Sequence, residues 1–297
     1  MSSAQRLGVF VVPSPRSDAW IAAIASVATT AGWRVLTGPE VEAESDAVDR
    51  LLLTSDIHAL SAFGPQTVVV MTAAPDSTLS PVVEASAQGL RANEARAGVS
   101  APWAMAAILA ESGAEVVDGR ADLVSLPFLG EIVASARAAD PDPGSEQGVL
   151  SMFDTLPIPV GATANWTTDH FDYPHKREFF GGAPQVDLTG RPRGLVYGPF
   201  VHLPPGTWQV EIDVSVDPEG GRSPLRFEWG GGDTFVGHSV AVTVPGRYSL
   251  VLTSRWAEIL TVQMRIWLTE GIFQGRFAFH GCKVTRVADE TPVTTEA

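Results

Sequence analysis

The chain contains very little lysine and cysteine, and its balance of charge is strongly acidic. Of its 297 residues only two are Lys and one is Cys, and the formal net charge is −14. Such a chain lacks the basic footprint that nucleic acid or an anionic membrane requires, so we expect neither partner. The single cysteine, Cys282, excludes an intrachain disulfide and is predicted to be a small buried side chain in a late strand.

Long apolar runs are also missing. None approaches the roughly 20 residues of a transmembrane helix, so we expect no membrane insertion. The apolar run at residues 7–12 is short and meets a proline, with no basic stretch before it, which is unlike a signal peptide. We therefore expect synthesis in the cytoplasm without a signal peptide. A virion-like particle assembled in the cytoplasm and released by lysis could still display the chain outside the cell.

The first 138 residues predict an α/β domain. Apolar runs at residues 7–13, 34–38 and 67–75 are typical of buried strands. Helical patterns occupy residues 17–32, which Ser17 or Asp18 is expected to cap, and residues 47–64. A further helix is expected near residue 81, and residues 101–118 read as a helix followed by a short strand. This alternation predicts a Rossmann-like, mostly parallel sheet covered on both faces, acting as a scaffold or docking domain.

A nucleotide site is not predicted in this domain, because the first strand-to-helix turn carries no dinucleotide motif. The turn reads PSPRSD, without the glycines or the Lys–Ser/Thr pair that phosphates require. A phosphate at Ser17 beside Arg16 is an alternative to plain helix capping. Asp76 is the one acidic residue placed to serve a nucleotide-sugar enzyme. His58 and the carboxylate runs at residues 40–44 and 46–49 are interpreted as structural or solvated.

Residues 139–150 are rich in proline and acidic side chains and predict a linker. Before residue 146 the chain has eight Arg and seventeen Asp or Glu, a net charge of −9. From there on it has twelve Arg or Lys and seventeen Asp or Glu, a net charge of −5. Because the second part is less acidic, we expect it to bind an acidic ligand more readily than the first part.

An aromatic and proline-rich stretch follows the linker, and it contains Asp169, His170, Asp172 and His175. Their local density suggests a metal or acid–base site. Their spacing matches no common zinc or facial-triad pattern, however, and Pro174 would interrupt a helix. We interpret the cluster as a structural loop packed on a sandwich edge, and we assign no metal ligand and no catalytic residue.

Residues 187–287 consist of short runs of alternating apolar and polar residues closed by Gly, Pro or Asp. This pattern predicts an antiparallel β-sandwich within a domain spanning residues 151–287, followed by a disordered tail at 288–297. In an alternating strand the apolar residues face the core, so the polar residues between them lie on an outer face. A sugar ring needs a flat aromatic bordered by planar donors and acceptors. The predicted carbohydrate-binding residues are Trp267, Arg265, Gln263, Glu211, Asp213, Arg226 and Glu228 on that face, Trp256 in a loop, and Asp233 and His238 on a glycine-rich ligand loop.

Two segments of this region, VYGPFVHLPPGTWQVEI and VQMRIWLTEGIFQGRFAFHGCKVTRV, resemble carbohydrate-binding jelly-roll modules of bacterial polysaccharide proteins. The resemblance covers about a third of the chain and rests on turn and strand positions, so it implies a fold more firmly than a ligand. The matching residues are Tyr197, Gly198, Pro199, Phe200, Leu203, Pro204, Pro205, Gly206 and Trp208. The arrangement as a whole also resembles the capsule-binding head-spike proteins of gene transfer agents, which are phage-like particles of alphaproteobacteria.

The sequence thus predicts an α+β two-domain protein whose jelly-roll sandwich binds cell-surface or capsular polysaccharide without catalysis or cofactor. Its N-terminal domain is expected to support a homo-oligomer or to dock onto a particle protein. Two alternatives remain at this point. The chain could be a glycosyltransferase-like enzyme or accessory protein of exopolysaccharide synthesis, or a purely structural component whose sandwich is an oligomerisation surface, with Trp267 beneath a neighbouring loop or subunit.

Overall fold

The computed structural model describes residues 4–37, 48–86, 90–134, 147–174, 178–180 and 183–288. The acidic run at residues 40–44, most of the linker (139–146), His175 and the tail from 289 lie outside these ranges. Within them, no helix combines the length and the apolar character needed to cross a membrane.

The N-terminal half contains a five-stranded parallel sheet, as predicted. The strands are β1 (Arg6–Val11), β2 (Arg34–Thr37), β3 (Arg50–Thr54), β4 (Thr67–Thr72) and β5 (Glu115–Asp118). Their order in the sheet is β2-β3-β1-β4-β5, with the first strand at the centre. The inner strands β1 and β3 are almost entirely buried because a parallel sheet is covered on both faces, whereas the edge strands β2 and β5 expose polar residues at their ends.

Four helices accompany this sheet, namely α1 (Ser17–Thr30), α2 (Ile57–Phe63), α3 (Pro75–Ser86) and α4 (Leu90–Glu111). The residue before α1 is Arg16, which makes no side-chain cap, so the predicted Ser17 or Asp18 cap is wrong. The single helix predicted over residues 47–64 is also wrong. Its first part is β3, fully buried beside β1, and α2 begins only where the Asp56 carboxylate accepts the His58 backbone N–H. A hairpin, β6 (Leu123–Leu126) with β7 (Gly130–Val133), was not predicted.

The C-terminal half forms two antiparallel sheets, as predicted. One has six strands in the order β15-β12-β17-β10-β9, with β8 also paired to β17, and the other has the order β11-β16-β13-β14. From β11 onward the chain passes repeatedly between the two sheets, which is typical of a jelly roll. The strands are β8 (Thr163–Trp166), β9 (Glu178–Phe180), β10 (Ala183–Asp187), β11 (Arg193–Leu203), β12 (Gly206–Asp217), β13 (Ser223–Gly231), β14 (Thr234–Val242), β15 (Gly246–Trp256), β16 (Leu260–Leu268) and β17 (Arg276–Val287).

The core of the sandwich follows the predicted alternation. In β12 every second side chain from Trp208 to Val216 is buried, and Met264 and Ile266 of β16 are buried from the opposite sheet. Cys282 is buried as expected, and burial raises the pKa of its thiol. The Pro204 carbonyl accepts the indole N–H of both Trp208 (3.1 Å) and Trp256 (2.9 Å). The Leu-Pro-Pro-Gly turn that carries part of the resemblance is therefore a packing element.

The two halves share one hydrophobic cluster, which contains Phe10 and Trp103 as well as Trp208 and Phe279. Helix α4 packs along β11, at the edge of the four-stranded sheet. At this junction the Ser100 hydroxyl accepts the backbone N–H of His202 at 2.8 Å. Contacts of this kind connect the sandwich with the α/β layer.

Candidate functional site

The predicted ligand residues do not form a single face. Trp267, Arg265, Arg226 and Glu228 lie on the outer surface of the four-stranded sheet, where β13 and β16 are adjacent. Glu211 and Asp213 belong to β12 of the six-stranded sheet and point away from the same core. The full thickness of the sandwich, about 10 Å between sheets, separates the two groups. One sugar residue therefore cannot contact both, and the prediction of one shared face is wrong.

The first group surrounds an exposed tryptophan; we call Trp267, Arg226, Glu228, Arg265 and Phe235 the tryptophan face. The Trp267 indole is 38% exposed, and its Nε1–H donates to Glu228 Oε2 at 2.9 Å. The other oxygen of Glu228 accepts from Arg226 Nε at 2.7 Å. This carboxylate thus fixes the orientation of both neighbours.

A glycine beside the indole provides space for the ring. Gly194 of β11 is paired with Trp267 in the sheet register. A β-carbon placed on Gly194 would lie 3.4 Å from Cζ3 of the indole, which shows that the ring rests against the backbone of β11. The backbone of β11 therefore contacts one side of the indole, and Glu228 accepts a hydrogen bond from its nitrogen.

The tryptophan face also carries an arginine stacked on an aromatic ring. The guanidinium carbon of Arg265 lies 4.0 Å from the centre of the Phe235 ring. No ion pair joins Arg265 to a carboxylate in the described ranges, although Glu228 is its cross-strand neighbour. The reason is that both Glu228 oxygens are turned towards Trp267 and Arg226.

The second group lines a polar groove of about 550 Å³ on the outer surface of the six-stranded sheet. Its charges pair between adjacent strands, with Glu211 directly opposite Lys283 and Asp213 diagonal to Arg247. Arg247 Nε donates to Asp213 Oδ1 at 2.8 Å, and Lys283 Nζ lies 3.3 Å from Glu211 Oε2. The hydrogen bond from Arg247 is the main cause that lowers the pKa of Asp213, and the reciprocal bond raises the pKa of Arg247.

Several residues of this polar groove were not predicted. They come from β8, β15 and β17, strands whose alternation was visible but whose position beside β12 depends on long-range pairing. A β-bulge between Asp213 and Val214 also places His280, whose Nε2 lies 2.7 Å from the Ser215 hydroxyl, on the outer side. The groove residues missed by the sequence analysis include Asn165, Arg247, Tyr248, Ser249, His280 and Lys283.

Two predicted contact residues are buried. Trp256 is 7% exposed and stacks on Trp208, with ring centres 6.4 Å apart and planes 5° from parallel. It ends β15 on the inner side and does not lie in a loop, so the prediction of a second exposed platform is wrong. Gln263 is 8% exposed, and its neighbours in the adjacent strands are Pro199 of β11 and Gly230 of β13.

The predicted glycine-rich ligand loop is a hairpin. Strands β13 and β14 flank a tight turn at Gly232 and Asp233, which leaves Asp233 exposed at one end of the sandwich. His238 lies in the middle of β14 and borders an apolar slot of about 300 Å³ between β14 and β15. The two residues are therefore separated along the strand, and no shared ligand loop exists.

In the cluster at positions 169–175, the described residues His170 and Asp172 make structural contacts. His170 is completely buried, and its Nδ1 accepts the backbone N–H of Thr167 at 3.0 Å in a capping box. The Asp172 carboxylate accepts a hydrogen bond from Asn93 of α4. Across the described ranges, no group of three or more His, Cys, Asp or Glu side chains is placed to hold a metal.

The positions considered for nucleotide chemistry are also engaged in structural contacts. The two oxygens of Asp76 accept the backbone N–H groups of Gly148 (2.6 Å) and Leu150 (2.8 Å), which anchors the chain entering the sandwich. Arg16 is 6% exposed and donates from Nη2 to Asp122 at 3.1 Å. The Ser17 hydroxyl bonds the Val12 carbonyl at 3.1 Å. These contacts favour a structural role in packing over a phosphate site.

Known proteins resemble this chain in structure only. No protein-family model and no curated protein matches it. The sandwich is similar to solved carbohydrate-binding modules, all with low TM-scores. The xylan-binding CBM22-1 domain of Xyn10C from Paenibacillus barcinonensis gives a TM-score of 0.32 at 10% identity, covering 44% of this chain and 98% of that one. The C-terminal CBM6 of LamC from Zobellia galactanivorans gives 0.27 at 15%, covering 42% and 99%. TmCBM61, solved with β-1,4-galactotriose, gives 0.25 at 14%, covering 42% and 82%. TM-scores this low give no information about the ligand of this chain.

Proposed function

We propose that the sandwich binds carbohydrate and that a sugar ring stacks on Trp267. The observation that carries this proposal is an exposed indole held in one orientation by Glu228 and by the backbone at Gly194. An aromatic ring presents a flat apolar surface that suits the C–H face of a sugar. A ring that is already fixed loses little side-chain freedom when the sugar binds, which favours affinity.

Polar groups for the sugar hydroxyls surround the indole. Arg226 keeps part of its guanidinium for a ligand after bonding Glu228 through Nε, and its side chain is 44% exposed. Arg265 uses the face of its guanidinium to contact Phe235, so its N–H groups in the plane are available as donors. An aromatic surface with planar donors beside it matches the amphipathic character of a sugar.

The test is a glycan and polysaccharide array probed with the full chain and with Trp267→Ala. We expect saturable binding that falls at least tenfold in the variant. Val251→Ala is the matched control, because this exposed apolar side chain lies on the opposite sheet. Absence of binding by the folded wild-type chain to any glycan would refute the proposal.

The polar groove is a second location for the same function, favoured by its volume of about 550 Å³ and its polar lining. It offers hydroxyl, carboxylate and guanidinium groups from four adjacent strands, with Tyr248 as an aromatic side chain at its border. Arg247→Gln would leave Asp213 without its bidentate partner and should weaken binding if the groove is used. Binding that depends on Arg247 and is indifferent to Trp267 would assign the ligand to the groove.

We further propose that the carbohydrate is a cell-surface or capsular polysaccharide and that the α/β half attaches the chain to a phage-like particle. The shared core and the α4–β11 packing support a rigid presentation of the sandwich by the other half. Comparing adsorption of the purified protein to capsulated cells and to their acapsular mutant tests the ligand. Equal adsorption to both would exclude the capsule.

A structural role as an oligomer is a second candidate function, and the edge strand β14 favours it. The Pro224 carbonyl of β13 accepts the backbone N–H of Thr269, just after β16, so the backbone groups of Pro224 point towards β16. Backbone groups alternate in direction along a strand, so those of the neighbouring residue, Ser223, point towards its partner Val242 in β14. By the same alternation, the backbone groups of Phe235, Gly237, Ser239 and Ala241 point away from β13, towards the free edge of β14. This nine-residue strand carries no charge and no proline, the features that usually protect an edge.

Light scattering on the full chain tests the oligomer. Pairing through β14 predicts a dimer that Ser239→Pro dissociates, since proline removes an edge-facing N–H. Ser239→Ala retains that N–H and should remain dimeric. A wild-type monomer at all concentrations would exclude this role.

A further inference from the structure

We infer that the tryptophan face selects an acidic polysaccharide, one whose sugar rings carry carboxylate groups. The inference rests on the proposed carbohydrate binding and adds the chemical class of the ligand. Its basis is the arrangement of charge around Trp267, which differs from that on the outer face of the six-stranded sheet.

The tryptophan face is positive on a chain whose net charge is −14. It holds the guanidinium groups of Arg226 and Arg265 and one carboxylate, that of Glu228. The opposite face is balanced, because Arg247 pairs with Asp213 and Lys283 pairs with Glu211. A neutral ligand would suit the balanced groove, whereas an anionic ligand would be attracted by the excess positive charge on the tryptophan face.

Arg265 is the residue that we assign to the carboxylate. It lies two residues from Trp267 on β16, which places their side chains on the same side of the strand about 7 Å apart. A carboxylate attached to a sugar ring that stacks on Trp267 would project towards it. Stacking on Phe235 leaves the edge of the guanidinium open, and this edge can donate two parallel hydrogen bonds to a carboxylate.

Glu228 keeps Arg265 available for a ligand. It is directly opposite Arg265 in the register of β13 and β16 and would be its natural ion-pair partner. Its oxygens are instead bound by Trp267 Nε1 and Arg226 Nε, at 2.9 and 2.7 Å. Gly237 accommodates this arrangement, because a β-carbon there would lie 3.0 Å from Nη2 of Arg226.

The experiment compares polygalacturonate with its fully methyl-esterified form, which has the same backbone and no charge. Calorimetry with the full chain should give at least tenfold tighter binding to the acid form at low salt. Arg265→Gln should weaken binding to the acid form much more than binding to the ester and so remove this preference. Arg120→Gln, which removes an exposed guanidinium from the α/β half, should retain the preference.

The possible results separate the two claims. Trp267-dependent binding of both forms with equal affinity would overturn the acidic ligand and leave carbohydrate binding intact. Absence of binding to either form, together with an empty glycan array, would overturn carbohydrate binding itself. Dextran sulfate provides the remaining comparison. If it binds as tightly as polygalacturonate and independently of Trp267, the face attracts polyanions in general, and the inference is wrong.

Discussion

Replacing Ser100 by alanine should weaken the junction between the two halves of the molecule. The Ser100 hydroxyl is completely buried; it accepts the His202 N–H at 2.8 Å and donates to the Arg96 carbonyl at 2.6 Å. Alanine would leave the N–H of an edge strand buried and without its acceptor. Leaving a buried donor unsatisfied costs about 1–3 kcal/mol, so we expect the free energy of unfolding to fall by about that amount.

Urea denaturation followed by tryptophan fluorescence and circular dichroism measures this loss. Because one hydrophobic cluster spans both halves, we expect a single transition with both probes coinciding. Ser112→Ala is the matched control, since its hydroxyl makes a comparable bond to Ile108 in an exposed position and should cost little. A loss below about 0.5 kcal/mol for Ser100→Ala, or two separate transitions, would refute the view that this junction joins the halves into one unit.

Three further predictions concern the stability of the fold. Trp256→Ala should lower the free energy of unfolding by about 3–5 kcal/mol, because it removes a buried ring stacked on Trp208; a small loss in denaturation would contradict this packing. Burial lowers the pKa of His202, so the unfolded chain binds this proton more readily and stability should fall as the pH drops below 6.5; His202→Gln should reduce that fall. Gly281→Ala should lower the melting temperature, because φ is +104° and the new carbon would lie 2.8 Å from the Trp166 carbonyl.

Periodicity predicted the sandwich but not the relative positions of its strands. The two-residue period correctly assigned Trp267, Arg226 and Glu228 to the outer side of their strands. It contains no information on which sheet a strand joins, because pairing links residues far apart in the chain. The outer residues of β12 were for this reason placed beside Trp267, although β12 pairs with β15 and β17.

Local patterns also predict the wrong structure where burial overrides propensity. The leucines at positions 51–53 fit a helix as well as a strand, and their position beside β1 in the centre of a parallel sheet decides for the strand. Trp256 follows an arginine and precedes a polar turn, which suggested an exposed loop. Its indole N–H instead donates a hydrogen bond to the Pro204 carbonyl at 2.9 Å, and this acceptor lies 52 residues earlier in the chain.

The most direct test of the account observes the Trp267 indole during ligand binding. The indole N–H signals can be recorded by NMR on protein labelled with ¹⁵N-tryptophan, with Trp267→Phe identifying its signal. Titration with a glycan that scores on the array should shift the Trp267 signal saturably, while the buried Trp208 and Trp256 signals stay in place. Binding that leaves the Trp267 signal unchanged would contradict the claim that the sugar stacks on the tryptophan face.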